Sequence, residues 1–270
     1  MFVGKSGRPP YAGILASVAF FVGVALSSNT HAAEGSQEWH SLFNGKDLSG
    51  WTVKIAQHPL GDNYADTFRV EDGVIKVSYD GYSKFENRFG HLYTNQPYSR
   101  YVLRLEYRIT GEGISDAPHW AKLNSGVMIH AQSPLSMRVE QGFPVSMEFQ
   151  FLAAKATAGS QTANAVTPGT NLVLNEKLLT DHIIDSKSTL YPLDEWVRAE
   201  VEVRGDEEVI HRINGVEVLR YQQPQLDPTD KDAQQLLASG APLRLSFGHI
   251  ALQAEGQPIW FRNIKIRQLD

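Results

Sequence analysis

Between Tyr101 and Ile109 the apolar residues Tyr101, Leu103, Leu105, Tyr107 and Ile109 alternate with Arg104, Glu106 and Arg108. A strand turns successive side chains to opposite faces, so such a segment buries one face and solvates the other, which a helix of period 3.6 cannot do. The pattern returns over Trp196–Val203. Glu71-Asp72-Gly73, between Thr67–Val70 and Val74–Val77, and Asn214-Gly215, between Val209–Ile213 and Val216–Tyr221, read as hairpins. Leu243–Phe247, Ile250–Gln253 and Ile259–Ile266 supply the last strands. Short strands of this kind without βαβ alternation predict an all-β fold, an antiparallel β-sandwich. One helix is expected, over Asp230–Ala238, with Asp-Lys-Asp at its start and Gly240 after its end.

Two segments carry polar residues in strand register. In Asn124-Ser-Gly-Val-Met-Ile-His130, period two puts Asn124, Met128 and His130 on one face and Val127 and Ile129 on the other. In Ser146-Met-Glu-Phe-Gln-Phe151, Ser146, Glu148 and Gln150 share a face, opposite Met147, Phe149 and Phe151. Two such strands floor a polar cleft above an apolar core.

At these residues the chain resembles the bacterial 3-keto-disaccharide hydrolase family, formerly a domain of unknown function, whose members carry Asn-Ser-Gly followed by a Glu-x-Gln strand. The likeness extends through Leu42-Phe-Asn-Gly-Lys-Asp-Leu-Ser-Gly-Trp51, Phe68-Arg-Val-Glu-Asp-Gly-Val-Ile75, Leu105-Glu-Tyr-Arg108, Ile213-Asn-Gly215 and Phe261-Arg-Asn-Ile264, covering roughly Trp39 to Asp270. It implies a concanavalin-like jelly roll and cleavage of glycosides already oxidised at C3. One departure stands out. Many relatives follow Leu-Gln with a short stretch containing His-Gly, whereas here Gln253 is followed by Ala254-Glu255-Gly256.

Candidate chemistry follows from the residue types. Glu148, beside an apolar face, is placed where desolvation raises a carboxyl toward acid or base work. Spacing alone favours an ordinary solvated or ion-pair residue, and it is the resemblance that reverses this toward catalysis. His130 and His182 are the other acid–base candidates, each also readable as a hydrogen-bonded structural residue or a solvent-facing one. Asn124 and Gln150 offer paired donors and acceptors for sugar hydroxyls or a carbonyl. Arg108 or Arg262 would add positive charge near a developing enolate, and Trp51 and Trp120 would stack on a pyranose. All four also suit surface charge or core. The long stretch Ala153–Leu193 is expected to fold over the polar face and wall one side of the site, with Thr167-Pro-Gly-Thr170 making a tight turn.

Under the resemblance, a base such as His130 or Glu148 removes the C2 proton, which a C3 ketone acidifies. Asn124, an arginine or a metal then holds the enolate, and the C1 substituent leaves before water adds. A divalent metal is admitted, but no His-x-x-x-His or Cys set marks its ligands, which would have to come from distant strands. Two rivals remain: a non-catalytic lectin-like carbohydrate-binding module, and hydrolysis by a conventional carboxylate pair, for which no second carboxylate can be assigned. There is no Gly-x-Ser-x-Gly elbow, no phosphate loop and no Glu-x-Asp-x-x-Glu strand, so esterase, nucleotide and laminarinase readings lose support.

The N-terminus reads as an export signal. Lys5 and Arg8 precede an apolar stretch from Ala12 to Leu26 and the small residues Thr30-His-Ala-Ala33, predicting a signal peptide over 1–33 and a single domain over 34–270. Periplasmic or secreted placement follows, with no stable membrane anchor. There is no cysteine, so neither a lipidated N-terminal Cys nor a disulfide framework is available. Net charge is −5 with the signs interspersed. That composition offers no basic stripe for nucleic acid and leaves carbohydrate as the expected partner.

Overall fold

The computed structural model describes residues 38–270. The expected signal peptide lies outside the described residues. No helix among them is long and apolar enough to cross a membrane.

Two antiparallel sheets face each other across one core. The larger has ten strands, running from edge to edge through Lys177–Leu179, Thr170–Leu174, Val216–Leu226, Glu208–Ile213, Val197–Arg204, Arg100–Ile109, Ile259–Gln268, Val74–Val77 and Phe68–Glu71, with His40–Ser41 paired to Ile259–Gln268. The smaller has seven, in the order Ile183–Ile184, Ala165–Val166, Met147–Leu152, Asn124–Ala131, His249–Ala254, Gly90–Thr94 and Trp51–Ile55. This is the expected β-sandwich. Both predicted hairpins form, and their tips need left-handed backbone: φ is 52° and 75° at Asp72 and Gly73, and 51° and 86° at Asn214 and Gly215.

Tyr101, Leu103, Leu105, Tyr107 and Ile109 of the larger sheet meet Val127, Ile129, Met147, Phe149 and Phe151 of the smaller in a single apolar cluster. Tyr107 and Phe151 stack across it with centroids 4.0 Å apart. The alternation is overt in the larger sheet, whose far face meets solvent. In the smaller sheet every residue of Asn124–Ala131 and Met147–Leu152 is buried, because other chain covers its far face as well. Part of that cover is a second cluster of Tyr93, Met128, Ala131, Met137 and Ala251 with Phe143 packed against it.

The helix spans Lys231–Ala238. Asp230 caps it, accepting from the backbone N–H groups of Asp232 and Ala233 at 2.9 Å. Leu243–Phe247 is not a strand. Its contribution to the sheets is one isolated bridge, Arg244 to Gln225, and Leu245 packs instead on a small cluster with Val145, Leu226 and Ala233. The stretch Ala153–Leu193 adds short strands to both sheets, and Thr167-Pro-Gly-Thr170 turns tightly, with φ at Gly169 of 67°.

Candidate active site

The far face of the smaller sheet carries the site. Asn124, Gly126 and Met128 alternate with core-facing Ser125, Val127 and Ile129, and register sets Met128 beside Glu148 and Gly126 beside Gln150. On the next strand Gln253 stands opposite His91, which in turn stands opposite Lys54. The resulting polar row runs across several strands and is closed from solvent over most of its length: His91, Gln253, Glu148, Gln150, Asn124 and Lys54 are all at most 5% exposed.

A cavity of about 380 Å³ opens on this row. Its floor is Asn124, Glu148, Gln150 and Glu255, and its walls include Trp120, Phe143, Val166, Pro168 and His182. A neighbouring polar cavity of about 520 Å³ shares Phe143, Pro168 and His182 with it. Trp120, 45% exposed on a short turn, stacks on Phe89 at 5.7 Å with an 11° interplanar angle, so its indole is held as a rigid rim.

Glu148 lies across the backbone of Gly126. A Cβ at that position would fall 2.6 Å from Glu148 Oε1 and 2.9 Å from its Cγ, so only glycine lets the carboxyl settle there. This explains the glycine of Asn-Ser-Gly. The Glu148 Oε1 atom is buried and has no hydrogen-bond partner, as is Asn124 Oδ1. Asn124 Nδ2 donates to Glu255 Oε1 at 2.8 Å and to Trp120 O at 3.2 Å. Its amide donors are thus engaged and its oxygen is left as an acceptor. Gln150 is oriented the other way: its Oε1 accepts from Asn164 Nδ2 at 3.0 Å, leaving its amide N–H groups as donors.

Glu255 is the residue that sequence reasoning missed. It is 2% exposed, and among the described residues no Lys, Arg or His forms a salt bridge to it or to Glu148. Burial raises the pKa of both carboxyls, and the Glu148 charge raises that of Glu255 further. Gln253 faces both and offsets a little of the rise, though it makes no hydrogen bond of good geometry to either. The signal was in the period-two count: Ala251, Gln253 and Glu255 fall on one face, one step beyond the strand that ends at Ala254.

His91, also on this face, has both ring nitrogens unpartnered, and burial, aided by the Lys54 charge, lowers its pKa to about 3. The imidazole is therefore neutral at physiological pH. Lys54 turns its ammonium to the carbonyls of Ile55 and Val139. His182 stands at the rim with its pKa lowered by partial burial.

Four expected site residues lie elsewhere. At His130 a bulge intervenes, with φ at 50° and the register against His249 and Ala251 shifting by one. The extra residue flips the alternation, so Ala131 joins Met128 on the polar face while His130 Nε2 donates to Gly205 O at 3.1 Å. Trp51 is core: it is 7% exposed, and its indole N–H donates to Leu42 O at 2.9 Å. Arg108 and Arg262 project from the far face of the larger sheet. Arg108 pairs with Asp194 at 3.3 Å, and Arg262 pairs with Glu106 at 2.6 Å while lying 3.9 Å from the Trp196 ring. Among the described residues no three His, Asp or Glu side chains gather as a metal-holding group.

Comparison with known proteins bears on this geometry. The family model described as a 3-keto-alpha-glucoside-1,2-lyase-like domain matches residues 38–267. A crystal structure of a "putative glycosyl hydrolase" from Parabacteroides distasonis ATCC 8503 superposes with a TM-score of 0.52 at 22% identity, covering 86% of this chain and 94% of that one. A Bacillus subtilis protein of unknown function with a galectin-like fold superposes with a TM-score of 0.52 at 10% identity, covering 86% and 94%. At these identities the likeness is one of fold. No curated protein matches the chain.

Proposed function

The chain belongs to the 3-keto-alpha-glucoside-1,2-lyase-like family, which makes it a carbohydrate-active protein, and we propose that it cleaves glycosides oxidised at C3 by removing the C2 proton and expelling the C1 substituent. The observation that carries this reading is the buried Glu148 carboxyl, with one oxygen unpartnered, facing a cavity about the size of a sugar and rimmed by Trp120.

Once ionised, a carboxyl in that position is a general base whose proton affinity burial has raised toward that needed for the work. A ketone at C3 acidifies the C2 hydrogen, and the electron pair released when Glu148 takes that proton moves onto the C3 oxygen. Gln150, whose donors are uncommitted, suits that developing negative charge better than Asn124, whose donors are spent. Asn124 Oδ1 suits a sugar hydroxyl, accepting its O–H. Departure of the C1 oxygen gives an enone, and water added across it gives the free keto-sugar. We further propose that the protein is exported, on the strength of its N-terminal signal pattern.

The test is a rate comparison with purified protein lacking residues 1–33. The 3-keto-glucoside should be cleaved and its parent glucoside left intact; equal rates on both sink the elimination route. A second reading, a lectin-like binding module, draws support from the half-exposed Trp120 platform. Glu148→Gln separates the two readings. An enzyme loses turnover and keeps glycan binding, whereas a module had no turnover to lose.

A further inference from the structure

Glu148 and Glu255 line one cavity from either side of the strand that carries Asn124, Glu148 on Met147–Leu152 and Glu255 just past the end of His249–Ala254, and Asn124 joins them, donating to Glu255 while standing on the strand that pairs with that of Glu148. The buried titratable groups around them supply no compensating charge. His91 is held neutral, Tyr79, which accepts from Gly256 N, is kept protonated by burial, and the Lys54 ammonium is spent on two backbone carbonyls. His182 at the rim completes the set, with its pKa lowered by burial. Two full negative charges in such a place, with no cationic partner, are strongly unfavourable, and sharing a proton is the simplest relief.

We propose that Glu148 and Glu255 together hold one proton at neutral pH and work as a matched acid–base pair, Glu148 as the base at C2 and Glu255 as the acid that protonates the departing glycosidic oxygen. The proposal rests on the keto-sugar reading given above and adds a second catalytic residue to it. The unpartnered oxygen of Glu148 is the one free to accept a proton. Glu255 already receives the Asn124 N–H on one oxygen, which leaves the other to carry the proton.

The cycle balances. In the first half the C2–H bond breaks and its proton goes to Glu148. The electron pair, held briefly on the C3 oxygen, returns to form the C1–C2 double bond. The C1–O bond breaks, and Glu255 gives its proton to the leaving oxygen. The pair still holds one proton, now on the other carboxyl. In the second half water adds to C1 and loses a proton to Glu255, while Glu148 returns its proton to C2. The starting state is restored with no net proton taken from solvent, and no redox change occurs.

Two measurements test this. Infrared difference spectra of the substrate-free protein at pH 7 should show a protonated carboxyl band that disappears in the Glu148→Gln, Glu255→Gln double variant; its absence from the parent protein overturns the shared proton. For the roles, Glu255→Gln should slow a 3-keto alkyl glucoside by about 10²–10⁴-fold. A 3-keto nitrophenyl glucoside, whose leaving group needs no proton, should slow by less than about tenfold under the same acid–base logic. Exchange of the C2 hydrogen with deuterated solvent should persist in Glu255→Gln and stop in Glu148→Gln. An equal fall on both leaving groups, or the reverse exchange pattern, overturns the assignment. If the band is present but unsubstituted protein turns over neither keto-sugar, the shared proton stands and the keto-sugar reading fails, and the roles fail with it.

Discussion

The two sheets turn outward faces of opposite character. On the larger sheet charge is abundant and answered: Arg104 meets Glu200, Arg262 meets Glu106, Arg108 meets Asp194, and Arg212 bridges Glu200 and Glu202. Trp39, Trp260 and Trp196 lie against the guanidinium groups of Arg104, Arg108 and Arg262 at 3.9 to 5.0 Å. On the smaller sheet charge is scarce and unanswered, with Glu148 and Glu255 buried among unpartnered atoms of His91, Gln253 and Asn124. Exposed pairs are cheap to keep and contribute little individually. Buried polar groups without partners are costly, and several of them gather on this one face.

The sharpest way to break this contrast is Glu148→Gln, which keeps the shape and removes the base. Turnover of a 3-keto-glucoside should fall by about 10²–10⁴-fold with glycan binding intact, read from initial rates and calorimetry. A smaller loss, about ten- to a hundredfold in kcat, is expected from Gly126→Ala. The added Cβ must push the Glu148 carboxyl off its seat, and a misplacement of about 1 Å is enough for such a loss. Its effect on unfolding should be modest, roughly 1–3 kcal/mol by denaturant titration.

Next comes a gain. A carboxyl whose native pKa is raised binds more protons folded than unfolded, so its stability contribution is full below the unfolded value of about 4.3 and is lost as pH rises through the native value. Both glutamates are raised, so melting temperature should decline from mildly acidic to alkaline pH. Glu255→Gln should flatten that decline and make the variant more stable than the parent at alkaline pH, where the parent pair must give up its shared proton and carry two buried charges. Identical pH profiles for the two proteins would contradict the raised pKa values. The smallest effect belongs to the other face: Arg262→Ala should cost under about 1 kcal/mol and leave turnover unchanged. A large activity loss there would erase the contrast between the faces.

What could be read from sequence was what period two controls. Asn124, Glu148 and Gln150 come together because each keeps its place in an uninterrupted alternation. The same count placed His130 on that face and was defeated by one extra residue at the bulge, a feature no pattern of apolar residues announces. Arg108 and Arg262 sit on strands read correctly as strands, but alternation assigns a side, not a sheet, and theirs is the wrong sheet. Trp51 failed for a related reason, since a ring that begins a strand gives no sign of which way it turns. Leu243–Phe247 has a strand's composition, yet the helix offered its leucine a better partner than a ladder did. Glu255 was within reach of the count but stands past the strand's end, where the resemblance pointed to a histidine and alternation alone gives a carboxylate no role.

That position past the strand's end makes Glu255 an exchangeable part. Its backbone lies outside the ladder that closes at Ala254, with Gly256 at φ 101° turning the chain away immediately after it. A different side chain there disturbs no cross-strand pair, but it must answer the Asn124 N–H that Glu255 accepts, and it resets the charge and proton affinity of the cavity. Imidazole in place of carboxyl at this point would change the pH at which the site is primed while leaving the sandwich, the glycine seat and the base as they are.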